Sequence, residues 1–135
     1  MRRALLLICL LSVTACDEKS PVGPTIVLNE RFTLAPGGVA LVGGTDLRIQ
    51  FVQVTGDSRC PADAVCIQGG DALVRIVAYD GTATPGSYDL HTGDASRASA
   101  THHQARITLV DLQPYPFSSR ATAPEDYRAT FIVTM

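Results

Sequence analysis

From residue 25 onward, apolar and polar residues alternate over short stretches, which is typical of half-buried β-strands. Leu47, Ile49 and Phe51 fall on one face of such a stretch, while polar residues fall on the other. Gly, Pro and Asp, which favour turns, separate the stretches. No window of useful length has apolar residues at helical spacing. The pattern therefore predicts an all-β domain.

About seven strands are predicted, near 32–34, 39–42, 47–53, 72–79, 87–92, 104–112 and 127–135. The run 72–79 is apolar on both faces except at Arg75, as expected for a central strand. Residues 93–100 are small and polar, and predict an exposed loop. Many short strands with frequent turn signals indicate an antiparallel β-sandwich of immunoglobulin-like type, with a small β-barrel as the alternative.

The N-terminus has the pattern of a secretory signal, with Arg2 and Arg3 before an apolar run at 4–13. This run is too short to cross a bilayer as a helix. It ends in Val-Thr-Ala followed by Cys16, which resembles a bacterial lipobox. The resemblance implies cleavage before Cys16 and a diacylglyceryl thioether on its sulfur. The alternative is an ordinary secretory signal with an incidental cysteine.

Three segments follow from this interpretation. Residues 1–15 are a lipoprotein signal peptide, 16–24 are the lipidated cysteine and a polar, proline-rich flexible tether, and 25–135 are the sandwich domain. We therefore expect a protein of the cell envelope, lipid-anchored to a bacterial membrane on its periplasmic or surface face. The choice between inner and outer membrane stays open.

The charge of the chain argues against a nucleic-acid partner. Removal of Arg2 and Arg3 with the signal peptide leaves nine basic and 13 acidic side chains. A mildly acidic chain lacks the basic surface that binds phosphate backbones. Lys19 is the only lysine, so a polybasic membrane patch is also missing.

Four cysteines occur, and two of them have other fates in this interpretation. Cys9 leaves with the signal peptide and Cys16 takes the lipid. Because disulfides persist outside the cytoplasm, we expect Cys60 and Cys66 to pair with each other. A metal site would need further ligands, and no second cysteine pair accompanies them.

The segment around this pair resembles a group of uncharacterised bacterial secreted proteins and lipoproteins. It reads Asp-Ser-Arg-Cys-Pro at 57–61, then Cys66, then a glycine and an acidic residue that open an apolar strand. The likeness extends to Leu-Gln-Pro-Tyr-Pro at 112–116 and to the strand at Tyr127. Here Gln68 and Gly69 stand where the group has tryptophan and alanine. The resemblance implies no activity.

Two interpretations of this loop remain open. In one, Arg59 pairs with a nearby carboxylate, Asp57 or Asp71, and the loop is rigid and internally satisfied. In the other, Arg59 faces outward with Asp63 and Asp71 as a recognition patch on a stiffened loop. Asp57, Arg59, Asp63 and Asp71 are therefore the candidate binding residues.

The histidines are His91, His102 and His103. Neighbours on a strand point to opposite faces, so His102 and His103 are not expected to bind one ion together. His91 with one of them across a hairpin is the candidate for half of a copper or zinc site. The alternative is three exposed histidines without a metal.

No motif in the chain indicates catalysis. There is no G-x-S-x-G, no H-E-x-x-H and no glycine-rich phosphate loop. With no tryptophan and 6% aromatic residues, a stacking platform for sugars or single strands is poorly supported. We expect neither an enzyme nor a cofactor.

The sequence thus favours a non-enzymatic binding or accessory module. Its expected contact is an envelope protein or a small-molecule ligand, reached through loops that include 57–71. A periplasmic copper- or zinc-binding protein is the alternative. A protease inhibitor that presents Arg59 is a more distant one.

Overall fold

A computed structural model describes residues 23–81 and 84–135, so the predicted signal peptide and Cys16 lie outside the described residues. Within these ranges the chain forms nine strands and two 3₁₀ helices of three residues. No helix there is long and apolar enough to cross a bilayer. The strands are β1 (Thr25–Ile26), β2 (Arg31–Leu34), β3 (Val39–Val42), β4 (Arg48–Asp57), β5 (Ala72–Tyr79), β6 (Gly86–His91), β7 (Ser99–His102), β8 (Ala105–Gln113) and β9 (Arg128–Thr134), and the helices are Ala95–Arg97 and Pro124–Asp126.

The strands form two sheets, with the orders β1-β3-β4-β5-β6 and β2-β9-β8-β7. All pairs are antiparallel except β1 with β3. In the described part of the chain the two sheets do not close into one barrel. The predicted antiparallel sandwich is confirmed, and the barrel alternative is wrong.

The core is built from alternate residues of the strands, as period-2 patterning requires. In β5, which lies between β4 and β6, one face is fully buried and the other half-buried. The prediction of a central strand at 72–79 is therefore confirmed. The rings of Phe51 in β4 and Phe131 in β9 meet edge to face, with centroids 6.2 Å apart. This contact joins the two sheets at the centre of the core.

Two strands differ from expectation. β4 continues past the predicted 47–53 to Asp57, through two register shifts against β5. Such bulges increase twist and redirect a strand end. Part of the expected loop at 93–100 is ordered instead. Asp94 caps the first 3₁₀ helix through Ser96 N, and Ser99 then begins the edge strand β7.

The two ends of the sandwich carry different features. At one end β4 begins at Arg48, which pairs with Tyr79 at the end of β5. At the other end β4 finishes at Asp57, which pairs with Ala72 at the start of β5. The segment 58–71 joins these strands at the second end, which we call the loop end.

β1 lies near the first end, which we call the entry end, and runs toward it in parallel with β3. Thr25 pairs with Leu41, and Leu41 pairs in turn with Arg48. β4 has ten residues, and each advances about 3.3 Å, so the two ends are roughly 30 Å apart along the strand.

Candidate functional site

The candidate site is the disulfide loop, residues 57–71 at the loop end. Its predicted Cys60–Cys66 disulfide is present, with the two Cα atoms 5.9 Å apart. Two backbone hydrogen bonds extend the β4–β5 pairing up to the disulfide. Ser58 N donates to Asp71 O at 2.7 Å, and Cys60 N donates to Gly69 O at 2.9 Å. The disulfide and the two backbone bonds hold both sides of the loop together.

Gly70 lets these two sides approach closely. Its φ is +68°, a left-handed conformation that L side chains rarely adopt. A Cβ at this position would also collide with the carbonyl of Ser58. The close approach of the two sides of the loop therefore requires a glycine at position 70.

Arg59 is buried beneath the loop. Its Nε and Nη2 donate to Oδ1 and Oδ2 of Asp57, at 2.9 and 2.7 Å. Nη1 donates to Leu112 O in β8 at 2.6 Å, and Nη2 also donates to Pro114 O just after β8 at 2.8 Å. The ring of Tyr115 lies over the guanidinium at 4.6 Å. Of the two carboxylates predicted as partners, Asp57 is the one that pairs with Arg59, so the internally paired interpretation is confirmed. The outward-facing Arg59 of the recognition-patch and protease-inhibitor alternatives is wrong.

The charges of this pair stabilise each other. Burial raises the pKa of Asp57, but the hydrogen bonds and positive charge of Arg59 outweigh burial, so this pKa lies below its ordinary value. The hydroxyl of Tyr127 adds a hydrogen bond to Asp57 Oδ2 at 3.0 Å. Burial and the negative charge of Asp57 raise the pKa of Tyr127 in turn. Asp57 thus links the loop to the residue that precedes β9.

Asp63 braces the outer part of the loop against a second segment. Its carboxylate accepts hydrogen bonds from Ser118 N at 2.9 Å and Ser118 Oγ at 2.5 Å. These bonds lower the pKa of Asp63. Ala62 N also donates to Pro116 O at 2.9 Å. The segment after β8 therefore supports the disulfide loop along its length.

Asp71 closes the loop on its other side. Its Oδ2 lies 2.5 Å from His91 Nδ1, and its Oδ1 accepts from Gly93 N at 2.8 Å. Burial raises the pKa of Asp71, but the hydrogen bonds from Gly93 and His91 bring it below its ordinary value. The structure therefore places His91 at the loop end, away from the other two histidines.

The tip of this braced loop is apolar. Val65 and Ile67, on either side of Cys66, are fully exposed. Tyr115 and Phe117 of the supporting segment are 47% and 48% exposed. We call these four residues the apolar tip. Exposed apolar residues are ordinary when scattered singly, so four of them on two hydrogen-bonded segments are a candidate interaction surface.

A second feature, which we call the entry cleft, lies at the entry end and has a volume of about 580 Å³. Asp80, His102 and His103 offer one ligand atom each, and these atoms lie within 4.8 Å of one another. His103 follows the last residue of β7 and has a φ of +54°. Because it has left the strand, the two imidazoles lie together, with centroids 4.5 Å apart. The prediction that they point to opposite faces is therefore wrong.

No protein-family model, curated protein or solved structure matches this chain.

The structure brings the four predicted loop residues together, but it gives them a supporting role. Asp57 and Arg59 bind each other, while Asp63 and Asp71 hold neighbouring segments. Sequence reasoning missed the outward-facing Val65 and Ile67. Their signal was two aliphatic residues flanking a cysteine in an otherwise polar loop.

Proposed function

We propose that this protein is a non-enzymatic binding module of the bacterial cell envelope, anchored by lipid on Cys16. The disulfide loop is its docking surface for an envelope protein. One observation carries the proposal: a braced loop with its charges paired internally holds Val65 and Ile67 fully in solvent.

Burial of these side chains would stabilise a complex. Covering an aliphatic side chain removes it from water and contributes about 1.5–3 kcal/mol. The loop is already fixed by the disulfide, by Arg59 and by Asp63, so docking orders few additional groups. Tyr115 and Phe117, on the supporting segment, are about half exposed and offer further apolar area. The apolar tip thus has the features expected of a preorganised contact surface.

The charge of the chain favours a protein over the lipid surface. Lys19 is the only lysine, so the chain lacks the polybasic patch that strengthens binding to anionic lipid. The disulfide loop itself contains Asp57, Asp63 and Asp71 and one arginine.

The sequence supports the same location. The lipobox-like Val-Thr-Ala-Cys at 13–16 and the proline-rich tether favour an anchored envelope protein. The Asp-Ser-Arg-Cys-Pro segment resembles secreted proteins and lipoproteins. Gln68 and Gly69 replace the tryptophan and alanine of that group, so the contact of this chain would rely on the aliphatic pair instead.

The test is an in-cell crosslinking pull-down of the full chain from its own envelope. The wild type is compared with a Val65→Asp/Ile67→Asp variant, which places charge on the apolar tip without touching the internal bonds. Val27→Asp is the matched control, because Val27 is also exposed but follows β1. We expect one protein partner to be recovered with the wild type and with Val27→Asp, and lost from the double variant.

The proposal is wrong if the double variant recovers the same partner in equal amount. Loss of the partner from Val27→Asp as well would place the contact elsewhere. Binding of the non-lipidated Cys16→Ala chain to lipid vesicles, abolished by the double variant, would identify the apolar tip as a membrane-binding surface instead.

A further inference from the structure

We infer that Asp80, His102 and His103 form a binding site for a divalent transition-metal ion in the entry cleft. This site lies at the opposite end of β5 from the disulfide loop and does not depend on the proposed function. It differs from the pairing that the sequence suggests, because Asp80 takes the place expected for His91.

The fold brings the three side chains together from two sheets. Asp80 directly follows β5, while His102 ends β7 and His103 begins the turn to β8. Ligand atoms bound to Zn²⁺ at about 2.0–2.2 Å lie roughly 3.3 Å apart in a tetrahedral site. The observed limit of 4.8 Å therefore requires an adjustment of about 1.5 Å or less. His103 is exposed and can supply much of this movement.

A buried nitrogen in the cleft wall points independently to a ligand. His102 is 5% exposed, and its Nε2 has no hydrogen-bond partner among the described residues. A buried polar atom without a partner is unfavourable, because it has lost its hydrogen bonds to water. A metal ion would satisfy the lone pair of this nitrogen.

The other ring nitrogen is held in the way that metal-binding histidines require. His102 Nδ1 lies 3.0 Å from Tyr88 Oη. When Nδ1 carries the proton it donates to this oxygen, and Nε2 then offers its lone pair. Gly86 makes room for the contact, since a Cβ there would come within 2.8 Å of His102 Nδ1. Tyr88 is therefore a positioning residue for the site.

The ligand set selects the class of ion. Two imidazoles and one carboxylate suit Zn²⁺ and its first-row neighbours, whereas Ca²⁺ and Mg²⁺ prefer oxygen ligands alone. Asp46 supplies a further carboxylate to the cleft wall. His103 Nδ1 now lies 2.6 Å from Asp80 Oδ2. An ion bound to both atoms would take the place of this hydrogen bond.

The test uses the full chain, purified in detergent and freed of metal with a chelator. It is titrated with Zn²⁺ by calorimetry and with Co²⁺ by visible absorption. We expect one ion per chain, with no thiolate-to-Co²⁺ charge-transfer band because Cys60 and Cys66 are paired. His103→Ala should weaken binding at least tenfold, and Tyr88→Phe about tenfold at the same stoichiometry.

His103→Ala is the main variant, because His103 is exposed and its change should leave the fold intact. His102→Ala would instead change a buried residue. His91→Ala is the matched control, a histidine paired with a carboxylate at the other end. Absence of binding to the wild type overturns the inference. So does binding that survives His103→Ala, or that is lost in His91→Ala.

Discussion

Arg59 and Asp57 face each other through two parallel hydrogen bonds, from Nε to Oδ1 and from Nη2 to Oδ2. The two residues are close in the chain, yet their other hydrogen-bond partners lie in or next to β8 and β9 of the other sheet. Arg59 bonds the carbonyls of Leu112 and Pro114, and Asp57 bonds the hydroxyl of Tyr127. This pair therefore ties the disulfide loop to the sheet that contains β8 and β9.

Asp57→Asn should destabilise the protein strongly. The amide cannot balance the charge of Arg59, and removal of one partner of a buried ion pair costs about 3–5 kcal/mol. Both side chains are nearly inaccessible, with exposed fractions of 4% for Arg59 and 9% for Asp57. Urea denaturation measures the free energy of unfolding.

Asp89→Asn is the matched control for that measurement. Asp89 forms the same two-bond arrangement with Arg75, but on the exposed faces of β5 and β6. Exposed pairs contribute about 0–1 kcal/mol. Equal losses for Asp57→Asn and Asp89→Asn would show that burial of the first pair does not matter.

The Asp57 pair also predicts a pH dependence. The pKa of Asp57 is lower in the folded protein than the ordinary value of 3.8, so the unfolded chain binds this proton more tightly. The stability from Asp57 is complete above about pH 4 and is lost as pH falls through the folded pKa. The difference in unfolding free energy between wild type and Asp57→Asn should therefore shrink below about pH 4. A difference that is constant from pH 7 to pH 2 contradicts this assignment.

The sequence predicted the strands whose burial alternates, and missed those whose order comes from their neighbours. β3 and β5 have the predicted bounds because their apolar patterns are continuous. β1 has only two residues and exists through its pairing with β3. β7 is short and polar, and its order depends on β8. Local patterns contain little information about such edge strands.

The sequence predicted the disulfide of the candidate site, but not the contacts that its loop makes with distant segments of the chain. The elimination of other cysteines correctly predicted the Cys60–Cys66 disulfide. The support of Asp63 by Ser118 involves residues 55 positions apart, and no local rule indicates it. The prediction that His102 and His103 point to opposite faces is wrong because that rule applies to neighbours within a strand, whereas His103 has a left-handed backbone conformation.

Loss of the disulfide should weaken the fold moderately. A loop closed between Cys60 and Cys66 contributes about 2 kcal/mol by the chain-entropy model. The Cys60→Ser/Cys66→Ser variant should therefore unfold at lower urea, and amide exchange should accelerate more in residues 57–71 than in the two sheets. Exchange in residues 57–71 that accelerates no more than in the sheets would contradict a local role for the disulfide.

Cys16→Ala should release the protein from the membrane. Without the thiol no thioether lipid can form, and stable anchoring requires more than one acyl chain. Metabolic labelling with a radioactive fatty acid and membrane fractionation measure the two consequences. A variant that stays labelled and sediments with membranes would show that Cys16 is not the anchor.

The most direct test of the disulfide loop as a docking surface is a photoreactive amino acid placed at Ile67 in the full chain, in its native envelope. Val27 is the matched site, because it is exposed but lies after β1. We expect a discrete protein adduct on irradiation from position 67 and none from position 27. Adducts from both positions, or from position 27 alone, would contradict the disulfide loop as the docking surface.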